Sequence, residues 1–240
     1  MSELAGAIGV HTEEASIIAE LQAGSEEAYA WLIAQYHQPI YSLVYRILDD
    51  PADAPDTTQE VFLKVFRGIN RFHGESSLKT WIYRIAVHEA SNRRRWWFRH
   101  KVRETSIEPA AERQADEQGA LAIRDTLTDG SESPLDTVLH EEVRSRVEAE
   151  LKQLPEPYRT TVVLRDIEEM SYEQIAEVMN VSLGTVKSRL VRGRDALRRR
   201  LERYAREIGP ELGLKVGVKK VEAEPGNRAT SVAKVIGRSQ

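Results

Sequence analysis

Ser171-Tyr172-Glu173-Gln174-Ile175-Ala176-Glu177-Val178-Met179-Asn180-Val181-Ser182-Leu183-Gly184-Thr185-Val186-Lys187-Ser188-Arg189-Leu190 is the stretch that decides how the chain is read. Tyr172, Ile175, Ala176 and Met179 recur at i, i+3, i+4 and i+7, which is one face of a helix, and Ser171 with Glu173 and Gln174 supplies the chemistry of an N-terminal cap. Asn180-Val181 interrupts the period as a tight turn. Ser182 then caps a second helix whose inner stripe is Val186, Leu190, Leu197, Leu201 and Tyr204, while Lys187, Ser188, Arg189, Arg192 and Arg194 point elsewhere. Two helices joined by a short turn, the second basic and polar outside, match a helix-turn-helix whose second helix enters the major groove of DNA. Arginine and lysine can pair there with guanine edges or phosphates, and Ser188 is small enough to allow close approach. The plainer alternative is a helical hairpin with a solvated basic face.

Working outward, the charge distribution supports the first reading. The 240 residues carry a net charge of -4, which would argue against a polyanion partner if it were evenly spread. It is not. Residues 71 to 103 hold nine Lys/Arg against Glu75 and Glu89, a balance of +7, and residues 187 to 206 hold nine against Asp195 and Glu202, again +7. Between them, residues 104 to 152 hold thirteen acids and five bases. Either basic patch alone reads as a solvated face; two of them around an acidic connector suggest a grip on a polyanion at two places.

Helical periodicity dominates the rest, and the expected fold is all-α: two small helical domains joined by an acidic linker. Ser25 caps a helix that carries Tyr29, Leu32, Ile33, Tyr36, Ile40, Leu43, Val44 and Ile47 on its inner face, and Pro39 is expected to bend it rather than end it. A second helix starts near Asp53, tolerates Pro55 in its first turn and carries Val61, Phe62, Val65 and Phe66. After a loop over residues 68–76, a third helix is expected from Ser77 to about Phe98, with Trp81, Ile82, Ile85 and Ala86 inside. These elements make a first domain over residues 14–100. Residues 101–135 read as the linker and 136–206 as the second domain, its pattern running from Leu135 to Leu154 and on through Tyr158, Val162, Val163, Leu164 and Ile167. Residues 207–240 mix Gly, Lys and small residues without period and are expected to be a disordered basic tail.

Two blocks are then familiar. Leu154-Pro155-Glu156-Pro157-Tyr158-Arg159, with Ser171 to Ala176 and Gly184-Thr185-Val186-Lys187-Ser188-Arg189-Leu190, resembles the C-terminal domain of extracytoplasmic function sigma factors of the sigma-70 family. Asp56-Thr57-Thr58-Gln59-Glu60-Val61-Phe62-Leu63-Lys64-Val65-Phe66, followed by Thr80-Trp81-Ile82-Tyr83-Arg84-Ile85-Ala86-Val87, is similar to the region 2 domain of the same family. The resemblance implies a transcription initiation factor that docks on the β′ clamp helices and β flap of core RNA polymerase and brings it to promoter DNA. It places polymerase contacts at Asp56, Gln59, Glu60 and Lys64, with Val61, Phe62 and Phe66 mostly core. It places capture of a flipped -10 base at the loop from Asn70 to Lys79 and the helix after it, with Phe72, His73, Ser77, Lys79, Trp81, Arg84, His88 and Asn92 as candidates. Trp81 on an inner stripe also reads as core. The family often has Asn where this chain has His88, so the preferred base is open. For the -35 element it implies base-edge or backbone contacts at Lys187, Ser188, Val191 and Arg192, and phosphate contacts at Thr185, Arg189 and Arg194. An anti-sigma factor is a further implied partner.

Other classes find less support. With no cysteine there is no disulfide, thiol nucleophile or Cys-based zinc site, and the six histidines lack metal-ligand spacing. No Gly-rich phosphate loop or Ser/His/Asp grouping points to catalysis, so no enzyme, cofactor or metal is expected. No apolar run approaches membrane length, and the N-terminus lacks the order of a signal peptide, which predicts a cytoplasmic protein without membrane insertion. A free-standing helix-turn-helix regulator leaves Gln59-Glu60-Val61-Phe62 and the basic aromatic segment from Phe72 to Arg103 without a role. An adaptor that mimics a sigma factor would not need the basic second helix.

Overall fold

A computed structural model describes residues 14–48, 50–104 and 134–208 of the chain. Among them there is no strand. The expected linker over 105–133 and the tail beyond 208 lie outside the described residues. The elements are α1 (residues 14–22), α2 (Glu26–Ile47), α3 (Ala54–Gly68), α4 (Leu78–Glu104), α5 (Pro134–Lys152), α6 (Glu156–Asp166), α7 (Tyr172–Met179) and α8 (Leu183–Ile208), with 3₁₀ turns at Pro51–Asp53 and Ile69–Arg71.

The first domain packs α2, α3 and α4 on one another. Ser25 caps α2 by accepting from the Ala28 amide at 3.2 Å, and Glu26 and Glu27 sit in its first turn, where the helix dipole favours negative charge. The helix continues through Pro39 to Ile47. Its buried side includes Leu32, Ile40, Leu43, Val44 and Ile47, which meet Val61, Phe62 and Val65 of α3 and Ile82, Tyr83 and Ala86 of α4 in one core. Pro55 stands in the first turn of α3, where a missing amide hydrogen costs nothing. Three sequence expectations are corrected. Ile33 is 40% exposed, because the buried stripe passes through Leu32 and Ala28 instead. Ile167 is 44% exposed, because α6 ends at Asp166 and the chain turns away before the period can continue. The third helix runs six residues beyond Phe98, to Glu104. The short α1 was not anticipated at all.

In the second domain α6, α7 and α8 form a three-helix unit, with α5 against α8. Ser171 and Gln174 make a full capping box: the Ser171 hydroxyl accepts from the Gln174 amide at 3.1 Å, and the Gln174 side chain accepts from the Ser171 amide at 2.8 Å. Asn180 ends α7 in the left-handed region at φ 51°, a conformation Asn tolerates better than most residues. Gly193 is required by a close approach: a Cβ there would stand 2.8 Å from Val162 Cγ2 and 3.3 Å from the Tyr158 carbonyl. The absent side chain lets α8 cross α6 closely.

The two domains touch. α5 and α6 lie against α2, and α7 lies against α4. At the joint Arg159 is 1% exposed and donates to the Lys152 carbonyl and the Ile47 carbonyl, both at 2.9 Å. These are the last residues of α5 and α2, whose carbonyls lack intrahelical partners and carry the negative end of each helix dipole. Beside it Arg46 grips Glu148 in a bidentate pair, with Nη2 to Oε1 at 2.7 Å and Nε to Oε2 at 3.1 Å, and the Lys152 ammonium lies 4.1 Å from the centre of the Tyr45 ring. Replacing Arg159→Ala strands buried carbonyls and opens a cavity. Chemical denaturation is expected to show a loss of about 3 kcal/mol, and Arg159→Lys should recover little, since one ammonium lacks the fork that reaches both carbonyls. Wild-type stability in Arg159→Ala would refute this role.

Candidate nucleic-acid interface

The basic helix of the second domain, α8, is seated by Ser182, whose hydroxyl accepts from the Thr185 amide at 3.2 Å. Val186, Leu190 and Leu197 are buried beneath it, so the opposite side must face out. Lys187, Ser188, Val191 and Arg192 occupy that side as one exposed patch spanning little more than a turn, with Val191 46% exposed. Ser188 donates to the Thr185 carbonyl at 2.9 Å and adds little height of its own. Thr185 is tied to Ser182 through their hydroxyls at 2.9 Å, and Arg189 is half-buried. Arg194 differs from the other candidates. Its Nε donates to Asp166 Oδ2 at 3.0 Å and its Nη2 pairs with Oδ1, so it braces α8 against the end of α6, and that hydrogen bond holds its pKa above the usual guanidinium value.

The second basic region surrounds the start of α4. Arg71, Phe72, His73, Glu75, Ser76, Trp81 and Arg84 line a recess of about 80 Å³. Four of the eight sequence candidates therefore come together: Phe72, His73, Trp81 and Arg84. Phe72 is buried and meets Trp81 at 5.0 Å between ring centres, so these two form the floor. Trp81 fits only because residue 68 is glycine, where a Cβ would lie 3.1 Å from its Cζ2 atom. His73 and Arg84 are exposed at the rim. Ser77 has another occupation: its hydroxyl accepts from the Thr80 amide at 3.1 Å and so caps α4. Lys79 donates to the Glu168 carbonyl at 2.9 Å. His88 and Asn92 are a pair further along α4, linked at 3.1 Å, with His88 also 3.2 Å from Glu89.

Sequence reading missed the residues that hold this loop. Gln22 of α1 donates to the Ile69 carbonyl at 3.1 Å and the Phe72 carbonyl at 2.9 Å, and Glu14 accepts from the Leu78 amide at 2.6 Å. Both bonds join residues about fifty or more positions apart, so no local pattern could reveal them.

On α3, Asp56 and Gln59 are exposed and Glu60 half-buried, while Val61, Phe62 and Val65 face the core. Leu63 is 44% exposed and extends the strip formed by Asp56, Gln59 and Glu60 at helical spacing. It was passed over as an ordinary apolar position. Lys64 is engaged with Glu89 at 2.6 Å, so it belongs to the edge of this strip. No group of His, Asp or Glu among the described residues could hold a metal ion.

Comparison with known proteins agrees with this layout. Residues 32–97 match the model of sigma-70 region 2, and residues 144–197 match that of sigma-70 region 4. The chain is 34% identical to the RNA polymerase sigma-H factor of Pseudomonas aeruginosa over 199 residues, 81% of this chain and 97% of that protein. It is also 34% identical to the ECF RNA polymerase sigma-E factor of Escherichia coli, over 75% of this chain and 90% of that one. Among solved structures, the sigma factor RpoE of Bartonella quintana, in complex with the anti-sigma factor NepR, has the same fold at a TM-score of 0.55 and 18% identity, covering 72% of this chain and 96% of that one.

Gln22 is a positioning residue for the recess. Gln22→Ala is expected to weaken binding of a single-stranded promoter oligonucleotide about fivefold, as loss of one hydrogen bond worth about 1 kcal/mol implies. The helical circular dichroism should not change. Undiminished binding would remove Gln22 from this role.

Proposed function

The chain belongs to the extracytoplasmic function sigma factors of the sigma-70 family, and we propose that its three exposed features divide the work of promoter recognition among them. As a sigma factor it directs RNA polymerase to specific promoters and starts transcription there; it is not an enzyme. In this reading the strip of Asp56, Gln59, Glu60 and Leu63 on α3 docks on the β′ clamp helices of core polymerase. The recess of His73, Trp81 and Arg84, with His88 and Asn92 beyond it, takes the unstacked -10 strand. Stacking on an aromatic floor offsets the few kcal/mol of unstacking. The patch of Lys187, Ser188, Val191 and Arg192 reads the -35 element in the major groove, with Thr185 and Arg189 toward the phosphates. The second domain also meets the β flap.

The supporting observation is that these features sit on separate surfaces, each built outward from a buried stripe. A free-standing regulator would use only the last of them. An anti-sigma factor as regulatory partner is consistent with solved relatives, among them CnrH with the cytosolic domain of CnrY. The working compartment is the cytoplasm; among the described residues no helix is long and apolar enough to cross a membrane.

Core RNA polymerase mixed with the purified chain and a genomic promoter library should yield specific run-off transcripts. Their absence would reject the proposal. On a promoter so identified, Arg192→Ala is expected to weaken binding by about 1 to 3 kcal/mol if it makes a bidentate base contact, and a titration without loss would exclude that contact. Leu63→Ala should lower affinity for core polymerase and leave duplex binding by α8 intact.

A further inference from the structure

Several basic groups of α4 already have partners, and those partners belong to the second domain. Lys79 donates to the Glu168 carbonyl at 2.9 Å, and Tyr83 donates its hydroxyl to the Glu168 carboxylate. Arg84 Nη1 lies 3.5 Å from Glu177 Oε1. Ser91 donates to Glu156 Oε1 at 3.1 Å, and Arg94 Nη1 lies 3.8 Å from Glu156 Oε2. From Lys79 to Arg94 this stripe runs roughly 22 Å along the helix at 1.5 Å per residue. Along it the first domain offers cations and the second offers carboxylates. Two of the cations, Lys79 and Arg84, belong to the face assigned above to the promoter strand.

The rest of the molecule is arranged differently. Lys187, Ser188, Val191 and Arg192 of α8 stay exposed, as do Asp56, Gln59 and Leu63 of α3. The closed contact therefore leaves polymerase docking and upstream reading open and covers the strand-reading helix. We propose that in the free chain the second domain acts as an internal mimic of the DNA backbone, its Glu156, Glu168 and Glu177 competing with the -10 strand for one face of α4.

The physical character of the contact fits a reversible cover. Polar interfaces between domains of one chain resemble transient complexes, for which relative motion is the default. Exposed pairs such as Arg84–Glu177 contribute little singly and are screened by salt, so the buried joint at Arg159 and Arg46 supplies the hold, while the carboxylates determine which face is covered. Glu168 is the innermost of the three. Burial raises its pKa above the ordinary carboxylate value, and burial, ahead of the nearby Glu168 charge, raises that of Tyr83. A buried carboxylate with a tyrosine donor is a specific fit, which solvent would not replace at equal geometry.

This inference rests on the assignment of Lys79 and Arg84 to the promoter strand, but closure can be read without DNA. The chain has no cysteine, so Ala52→Cys and Glu173→Cys, both at exposed positions, give a unique pair of spin labels on the two domains. Pulsed dipolar spectroscopy on the full chain should give one narrow distance distribution, and Glu156→Ala/Glu168→Ala/Glu177→Ala should broaden it. Core polymerase should broaden the wild-type distribution as well. A fluorescein-labelled single-stranded -10 oligonucleotide should bind the triple variant about tenfold tighter, as expected if the open form is a tenth of the wild-type population. If the alanine set does not fold by circular dichroism, the corresponding glutamine set removes the charges while keeping acceptors, and the same tightening is expected. A wild-type distribution as broad as the variant's, or equal oligonucleotide affinity in folded variants, would overturn the proposal. Failure of run-off transcription with a narrow distribution retained would instead count against the sigma-factor reading alone.

Discussion

Arg159 holds a full charge almost out of reach of water, and the relation between the two domains follows from what satisfies it. Burying a guanidinium is costly unless its donors are used, and here two helix ends supply the acceptors, the Ile47 carbonyl of α2 and the Lys152 carbonyl of α5. One planar group therefore joins three helices at a point: the two that end there and α6, which carries the arginine. The register of neighbouring contacts comes from that point. Arg46 precedes Ile47 and meets Glu148, one turn before Lys152; Glu156, three residues before Arg159, reaches Ser91 and Arg94 on α4. Such a joint confers specificity of arrangement more than raw stability, because the desolvation cost offsets much of what the bonds return.

The helix-turn-helix was legible in the sequence because its determinants are local. A serine and a glutamine three residues apart form the capping box, an asparagine takes the left-handed turn, and an apolar stripe of helical period does the rest. The division into two basic regions was legible for the same reason: charge can be counted along a chain. What could not be read depends on contacts between distant residues. Gln22 and Glu14 look like ordinary polar positions on a short helix, yet they fix the loop and the helix start of the recess. Arg159 looks like a surface residue. Periodicity also marks apolar positions without saying what covers them, which is why Ile33 and Ile167 were expected inside and Leu63 was not recognised as part of an outward strip. Ser77 and Arg194, plausible DNA contacts by position, are committed to a helix cap and an ion pair.

Function arises from the contrast between the two domains. Each is a small core whose buried stripe forces a polar or basic side outward, and neither outward side has the clustered acid, base or nucleophile that chemistry would need. The first domain offers an aromatic-floored recess suited to a base out of its stack; the second offers a helix side suited to duplex edges. A protein built this way treats two stretches of one DNA differently, one melted and one paired. The internal contact between α4 and α7 adds an order to these events, since the melted strand can be received only after the domains part.

That difference in treatment can be seen directly by footprinting the complex of the chain and core RNA polymerase on a promoter, with hydroxyl radicals for protection and permanganate for unstacked thymines. The structure predicts two separate protected stretches, with permanganate reactivity confined to the downstream one and dependent on core polymerase. A single protected stretch without reactive thymines, formed equally well by the free chain, would contradict it.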